Sequence, residues 1–193
     1  MSKAARLKGV QAKITHHIGG LRSTIPAQMA VAGPPLGTQL GQLGINISAF
    51  VKDFNLKTSI FREGVPLPTR TTVNPDRSYN LVIHHPTNSY FLKQAAGVKR
   101  GAMYPGREVT GYITRKHLYE IALVKSQDPP LQMVDLQDVC RQLIDSANSL
   151  GIKVVDSIDP VEYQEFLEDR KRIVQEQKDE LQAAKEAKLL RTA

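Results

Sequence analysis

Apolar residues recur along this chain at two spacings, which predict strands and helices in alternating groups. Short runs rich in β-branched residues predict strands at Leu21–Pro26, Thr69–Val73, Ser78–His84, Val109–Ile113 and Ile152–Val155. Apolar positions three and four apart predict helices at Leu36–Leu43, Ile47–Thr58, Tyr90–Ala96, Thr114–Ala122 and Asp135–Leu150. The turn signature Asn74-Pro75-Asp76-Arg77 predicts a hairpin between the second and third strands.

A long polar helix is predicted to begin at Asp159. Asp159 stands at the N-cap position, Pro160 at the first helical position and Glu162 in the first turn. The apolar line of this helix is thin and consists of Phe166, Ile173, Val174 and Leu181. The pattern fits a helix that projects from the body or docks along a partner, and it equally fits a solvated tail.

The order of elements predicts an α+β protein with two small domains. The first is an N-terminal α/β sandwich-like domain with a β-hairpin. The second is a C-terminal three-helix domain with a short two-stranded ribbon, and a C-terminal helical extension follows it. Prolines and changes in composition place the segments at 1–20 (a basic N-terminal arm or targeting segment), 21–85, 86–157 and 158–193.

The stretch Gly33–Phe50 differs from an ordinary core segment. Its glycines surround the pair Pro34-Pro35, which holds the entry extended. Glycines such as Gly37 and Gly41 allow backbone or a ligand to approach without a Cβ in the way. The stretch therefore predicts a recognition surface.

The charge distribution indicates an anionic partner. The formal net charge is +7. Positions 1–52 contain six Lys and Arg residues and no acidic residue, so positive charge dominates this part of the chain. The first 20 residues have the composition of an organelle transit peptide, and a flexible basic arm explains them equally well.

The sequence offers no recognisable catalytic or cofactor chemistry. The glycine spacing matches neither a phosphate-binding P-loop nor a dinucleotide-binding turn. The pair His84-His85 points to opposite faces of a predicted strand, and the single cysteine, Cys140, completes no metal site. No run is long and apolar enough to span a membrane. We therefore expect no enzyme activity, cofactor or membrane span.

A nucleic-acid interface is the hypothesis that remains. The segment VKRGAMYPGR supplies Lys99, Arg100 and Arg107 on a flexible backbone, where cations can bind phosphates. The exposed face of the helix at 135–150 presents Arg141, Asp145, Ser146, Asn148 and Ser149. Short polar side chains suit the wide minor groove of RNA, although each of these positions is also compatible with plain solvated surface.

Two other functional classes stay open at this point. A DNA-binding regulator requires a basic recognition helix, whereas the helix at 135–150 carries only Arg141 as a cation. An adaptor protein would use residues 159–191 to bind its partner. If the chain instead binds RNA, removal of residues 160–193 is predicted to leave the RNA affinity almost unchanged.

Several motifs in order resemble the ribosomal protein L-eleven family of the large subunit. They are GPPLGTQLGQLGINISAFVKDFN, the hairpin with NPDRSY, SYFLKQAAGVKRG and SANSLGIKVVD, which together run from about Arg22 to Asp156. The basic N-terminal arm and the extension beyond Val155 make the chain most similar to mitochondrial members. The resemblance implies a structural protein of the mitochondrial ribosome at the stalk base, in the matrix, rather than a cytoplasmic ribosomal protein.

The resemblance also implies partners and site residues. The C-terminal domain would bind the GTPase-associated region of large-subunit rRNA, and the N-terminal domain would face translation GTPases and the stalk protein of the L-ten family. Other mitochondrial ribosomal proteins would bind the C-terminal helix. The implied rRNA contacts are Pro86, Lys93, Lys99 and Gly101 with Ser146, Asn148 and Ser149, while Pro34 and Pro35 lie on the N-terminal face over the same RNA. Asp145 replaces a usual glycine and Asn148 a usual cation, which implies either weaker RNA binding than usual or an RNA that is itself altered.

Overall fold

The computed structural model describes residues 20–74 and 76–192, and it describes side chains as far as Leu189. The predicted N-terminal arm or targeting segment therefore lies outside the described residues, apart from its last position. The strands are β1 (Leu21–Pro26), β2 (Pro66–Val73), β3 (Tyr79–Ile83), β4 (Gly111–Thr114) and β5 (Ile152–Val155). The helices are α1 (Leu36–Gln42), α2 (Ile47–Lys57), α3 (Asn88–Ala95), α4 (Arg115–Lys125), α5 (Leu136–Leu150) and α6 (Pro160–Thr192).

The described chain forms two compact units, which confirms the predicted α+β class. The first unit comprises the chain up to Tyr90 together with Asp128–Pro130, and the second comprises Phe91–Gln127 and the chain from Leu131 onward. In the first unit β1, β2 and β3 form an antiparallel sheet in that order. In the second unit β4 and β5 form a parallel pair.

The first unit packs α1 and α2 on one face of its sheet. Phe50 and Phe54 of α2 are fully buried, and their rings stack with centroids 6.4 Å apart. Asn46 caps α2 as predicted, because its side chain accepts a hydrogen bond from the Ala49 N–H at 3.1 Å. Burial of two phenylalanines on one helical face anchors α2 against the sheet.

Strand β2 begins earlier than the sequence predicts. The predicted strand begins at Thr69, but Pro66 and Pro68 already lie in the strand and pair with β1. Pro68 and Pro66 each accept a hydrogen bond on their carbonyl oxygen, from His84 N and Thr87 N respectively. The β2–β3 ladder starts only at Thr69, so the missing proline N–H groups interrupt no ladder bond with β3.

A left-handed turn precedes α1 in the first unit. Gln28 has a φ of 62°, a conformation that favours glycine. Its main-chain N–H donates to Thr58 Oγ1 at 3.0 Å, and its side-chain amide donates to Phe61 O at 2.6 Å. Hydrogen bonds to the C-cap of α2 and to the segment that follows it therefore accompany the unusual backbone.

The second unit builds its core from α3, α4, α5 and the β4–β5 pair. Leu92, Ile113, Leu143 and Ile152 are fully buried there. Thr114 caps α4 as predicted, within a capping box completed by His117. Asp135 occupies the N-cap position of α5, but its side chain makes no capping hydrogen bond. Strand β4 begins two residues later than predicted, because Thr110 still belongs to the preceding loop.

Helix α6 begins as predicted, since Asp159 Oδ1 accepts from Val161 N at 2.8 Å. Its buried face differs from the predicted apolar line: Ile173 is 39% exposed and Leu181 is 42% exposed. Phe166 and Val174 of the predicted line are partly buried, and the buried face also includes Tyr163, Leu167, Arg170 and Gln177. From Lys178 to Leu189 every side chain is exposed. The first half of α6 thus packs on its own unit.

Candidate nucleic-acid interface

The basic loop, residues 97–110, connects α3 to β4 and carries most of the predicted RNA-binding cations. Lys99 and Arg107 are exposed, and Arg100 is half-buried. The loop leaves α3 through a hydrogen bond from Val98 N to Lys93 O at 3.0 Å, so Lys93 lies at its root. Gly97, with a φ of 63°, makes the turn out of the helix.

The basic loop lies against the C-terminal end of α5. Ala102 N donates to Leu150 O at 2.9 Å, and Thr110 N donates to Gly151 O at 2.8 Å. A Cβ on Gly101 would lie 3.1 Å from Leu150 Cδ2, so glycine suits this close approach. The last turn of α5 also contains Ser146, Asn148 and Ser149. The structure therefore packs the backbone of the basic loop against the end of the helix that carries the predicted polar residues.

The hydroxyl groups on this part of α5 are already oriented. Ser146 Oγ donates to Gln142 O and Ser149 Oγ donates to Ser146 O, each at 2.8 Å. Because each proton is used inside the helix, the oxygens present lone pairs to a ligand hydroxyl such as a ribose 2′-OH. Asn148 and Asp145 are exposed beside them.

Two predicted site residues stand apart from this group. Arg141 is exposed, but its guanidinium pairs with Asp138 at 2.7 Å, and it precedes Leu150 by nine residues or about 13 Å of helix. Pro86 is buried and belongs to the first unit. A buried ring cannot offer a surface contact, so the direct contact predicted for Pro86 is not available in this conformation.

Glu108 has a structural role in the basic loop that the sequence did not reveal. One of its carboxylate oxygens accepts hydrogen bonds from the main-chain N–H groups of Met103 and Tyr104. The other accepts from Arg170 Nη1 and Gln177 Nε2 of α6, both at 2.9 Å. The single acid of the basic loop thus closes residues 103–108 into a turn and connects them to α6.

The environment of Glu108 changes its pKa. Burial raises the pKa of the carboxyl, but hydrogen bonds from Arg170, from Gln177 and from two main-chain N–H groups lower it more. The net pKa falls from the ordinary 4.5 to about 2. The carboxylate therefore stays ionised at physiological pH.

We expect the stabilising effect of Glu108 to disappear only in acid. Because its folded pKa is lowered, its contribution is complete above the unfolded pKa near 4.5 and is lost as the pH falls toward about 2. The difference in unfolding free energy between the natural protein and E108Q should be constant from pH 6 to 8. Urea titrations should show roughly half or more of that difference gone by pH 3. A difference that persists unchanged at pH 3 would contradict the assigned pKa.

A sequence signal for Glu108 exists but is faint. It is the only acid among the four charged residues of the basic loop. Its partners on α6, Arg170 and Gln177, follow Tyr163 at intervals of seven residues, which is the repeat of a helix face that packs against a neighbour. The repeat is hidden because polar residues occupy two of its three positions.

The predicted recognition surface of the first unit divides into exposed and buried positions. Pro34 and Pro35 are exposed and border a concavity of about 270 Å³ that Met29 also lines. Gly37 is buried, and a Cβ there would lie 2.5 Å from Ala32 O, so this glycine serves backbone packing. Gly41 is exposed with open space around its Cβ position.

Within residues 20–74 and 76–192, no group of three or more His, Cys, Asp or Glu side chains is arranged to hold a metal ion. None of the helices in this part of the chain is both long and apolar enough to cross a membrane.

Two family models match consecutive segments of the chain. Residues 21–79 match the N-terminal domain of ribosomal protein L11, and residues 84–154 match the RNA-binding domain of the same protein. The second match contains the basic loop and α5, and it ends before α6 begins.

Whole-chain comparisons agree with these matches. The chain is 58% identical over 195 residues to large ribosomal subunit protein uL11m of Drosophila melanogaster, with all of both chains covered. It is 50% identical to uL11m of Caenorhabditis elegans, over 98% of this chain and 97% of the relative. It is 41% identical to uL11 of Roseobacter denitrificans, over 71% of this chain and 96% of the relative. The chain therefore belongs to the ribosomal protein L11 family.

Proposed function

We propose that the second unit binds the GTPase-associated region of large-subunit rRNA at the stalk base and that the first unit faces translation GTPases. The broader function follows from the family: the protein is an RNA-binding structural constituent of the mitochondrial large ribosomal subunit. Its role is structural, so we assign it no catalytic reaction.

The observation that carries the proposal is the joint face formed by the basic loop and the end of α5. Lys99 and Arg107 extend exposed cations from a loop whose Ala102 N–H is bonded to the last residue of α5. Phosphate contacts from the loop and hydroxyl or amide contacts from Ser146, Asn148 and Ser149 would then reach one RNA segment. This combination of cations and short polar groups suits a folded RNA better than a DNA major groove.

We assign the contacts with translation GTPases and with the stalk protein to the first unit. Pro34 and Pro35 with the neighbouring concavity offer an uncharged, shape-dependent surface. Such a surface suits contact with an RNA loop that the second unit already holds, while its outer side would meet translation GTPases and the stalk protein of the L-ten family.

The exposed distal half of α6 is assigned a separate partner. Residues 178–189 expose every side chain, and apolar residues Leu181 and Leu189 lie among their charges. We assign this segment to contact with other mitochondrial ribosomal proteins.

A DNA-binding role is disfavoured because the only cation of α5, Arg141, is paired with Asp138.

Filter binding tests the proposal with a transcript of the GTPase-associated region from mitochondrial rRNA. The affinity should fall as salt rises, with a slope between about −0.7 and −0.9 for each phosphate neutralised. A scrambled transcript of equal length is the control. Absent or salt-insensitive binding would overturn the proposal.

Two departures from the family pattern predict variants that bind RNA more tightly. Asp145→Asn removes a carboxylate near phosphates, and we expect the affinity to rise about threefold to tenfold because a repulsion is lost. Asn148→Lys adds a cation, which should raise the affinity and steepen the salt slope by about 0.7 to 0.9. Asp138→Asn, on the same helix but paired with Arg141, serves as the comparison. A neutral result for both variants would place this face of α5 away from the RNA.

A further inference from the structure

Helix α6 contacts the basic loop at its root and at its turn. The root is held by Tyr163, whose hydroxyl donates to Ala96 O at 2.5 Å and accepts from Tyr112 N at 3.2 Å. Ala96 precedes the loop and Tyr112 follows it. One side chain of α6 thus bonds to both ends of the segment.

Aromatic packing fixes Tyr163 in this position. Its ring stacks with Phe166 at a centroid distance of 5.9 Å, and Phe166 contacts Tyr112 at 5.1 Å. Gly97 lies close to Leu167, since a Cβ there would be 3.8 Å from Leu167 Cδ1. The start of α6 is therefore a packed part of the second unit rather than a tail.

The turn of the loop is held by a chain of polar groups. Gln177 Oε1 accepts from Arg100 Nη2 at 2.8 Å while its Nε2 donates to Glu108, and Arg170 also donates to Glu108. Gln177 therefore ties a cation of the proposed RNA site to the carboxylate that closes the turn.

The ion pair between Arg170 and Glu108, at the centre of these polar contacts, is not an arrangement that favours stability alone. Arg170 is only 6% exposed, and among the described residues its Nε and Nη2 atoms are buried without a hydrogen-bond partner. Buried ion pairs with unsatisfied groups contribute little net stability, and apolar side chains of similar size often serve as well. What the pair does provide is a fixed position for Glu108 and hence for the loop.

We infer that α6 is an intramolecular brace that holds the basic loop in its RNA-binding shape before RNA arrives. The inference rests on the proposed function for the identity of the ligand. Fixing the backbone of one flexible residue weakens a binding constant roughly tenfold if it must occur during binding. A loop already ordered by Gln177 and Arg170 avoids that loss.

The brace lies outside the segment that defines RNA binding in the family. The RNA-binding match ends at residue 154, whereas the contacting side chains run from Tyr163 to Gln177. The extension thus adds positioning residues to a site whose contact residues belong to the common domain. It also changes the expectation from sequence that removing residues 160–193 leaves RNA affinity unchanged.

The decisive experiment compares Gln177→Ala with Gln182→Ala in the full chain. Gln182 is exposed and bonds only within α6, to Glu186, so it is a matched control. Gln177→Ala should weaken binding of the GTPase-associated transcript about tenfold with an unchanged salt slope, since no phosphate contact is removed. Gln182→Ala should bind like the natural protein.

Hydrogen exchange separates positioning from general instability. In free Gln177→Ala, amides of the basic loop should exchange faster than in the natural protein, while those of α5 and β5 stay unchanged. In the RNA complex the loop amides of both proteins should be equally protected. If the natural protein binds the transcript and Gln177→Ala matches it in both affinity and loop exchange, the brace is refuted.

Further variants keep the test independent of folding and of the ligand. Removal of residues 179–193 spares Gln177 and should leave affinity unchanged, and a tenfold loss there would contradict the brace. If Gln177→Ala folds poorly, Arg170→Met takes its place in the test. This variant replaces the buried cation with an apolar side chain, and it should accelerate amide exchange in the basic loop. If the natural protein fails to bind the transcript, the proposed function fails, while the exchange data still decide whether α6 orders the loop.

Discussion

Gly151→Ala is expected to destabilise the second unit by about 2–5 kcal/mol and to displace the basic loop from α5. Gly151 ends α5 with a φ of 75°, a conformation that strains any residue with a Cβ. An added Cβ would lie 2.8 Å from both Ala102 Cβ and Glu108 O, and neither position can move without shifting the loop. Backbone strain and a steric clash therefore act at the same residue.

Gly106→Ala is the matched control for this substitution. Gly106 lies at the loop tip with a φ of 82°, and no atom lies within 4 Å of its Cβ position. Gly106→Ala should lower the free energy of unfolding only by the backbone strain, which is about 1–2 kcal/mol. Hydrogen exchange of α5 and β5 amides measures the effect on the second unit, since the two units need not unfold in one transition. Equal destabilisation by the two variants would contradict the clash.

Replacing both Lys99 and Arg107 by methionine should abolish most RNA binding. Both side chains are exposed on the basic loop. If each neutralises one phosphate, their loss makes the salt slope less negative by about 1.4 to 1.8. The same slope corresponds to a loss in affinity on the order of 10- to 100-fold at 0.1 M salt. The fold should stay intact because neither side chain belongs to the buried core.

A double variant with the same charge change provides the control. Lys116→Met with Lys185→Met removes two exposed cations from α4 and the distal half of α6. This control should keep the natural salt slope, because neither residue lies on the proposed RNA face. If both double variants lose affinity equally, binding depends on net charge and not on the basic loop.

The local features of the fold could be predicted from the sequence. Asn46, Thr114 and Asp159 cap their helices because a cap is decided by residues within one turn of the helix end. The start of β2 was missed because proline, which has no N–H group to donate, is normally excluded from a predicted strand. Pro66 and Pro68 instead form hydrogen bonds through their carbonyl oxygens, which proline retains. Which groups of a strand pair with its neighbours is not visible in the sequence of that strand alone.

The basic loop of the candidate site could be located from the sequence, whereas the contacts that support it could not. Cations and glycines mark the loop, but its junction with α5 was not predicted. Glu108 was missed because its partners Arg170 and Gln177 lie 62 and 69 positions away in sequence. Periodicity does not reveal such pairs, since an amphipathic pattern records apolar burial and these partners are polar.

The parallel pairing of β4 with β5 has a consequence for the order of folding. Gly111 pairs with Ile152, so α4 and α5 must both be made before the ribbon can close. The brace then requires the chain as far as Gln177. In a polypeptide that emerges from its amino terminus, the first unit can fold early, whereas the proposed RNA-binding face matures only after Gln177 has been made. A nascent chain would thus bind RNA through this face only after the first unit, α4 and α5 have been synthesised.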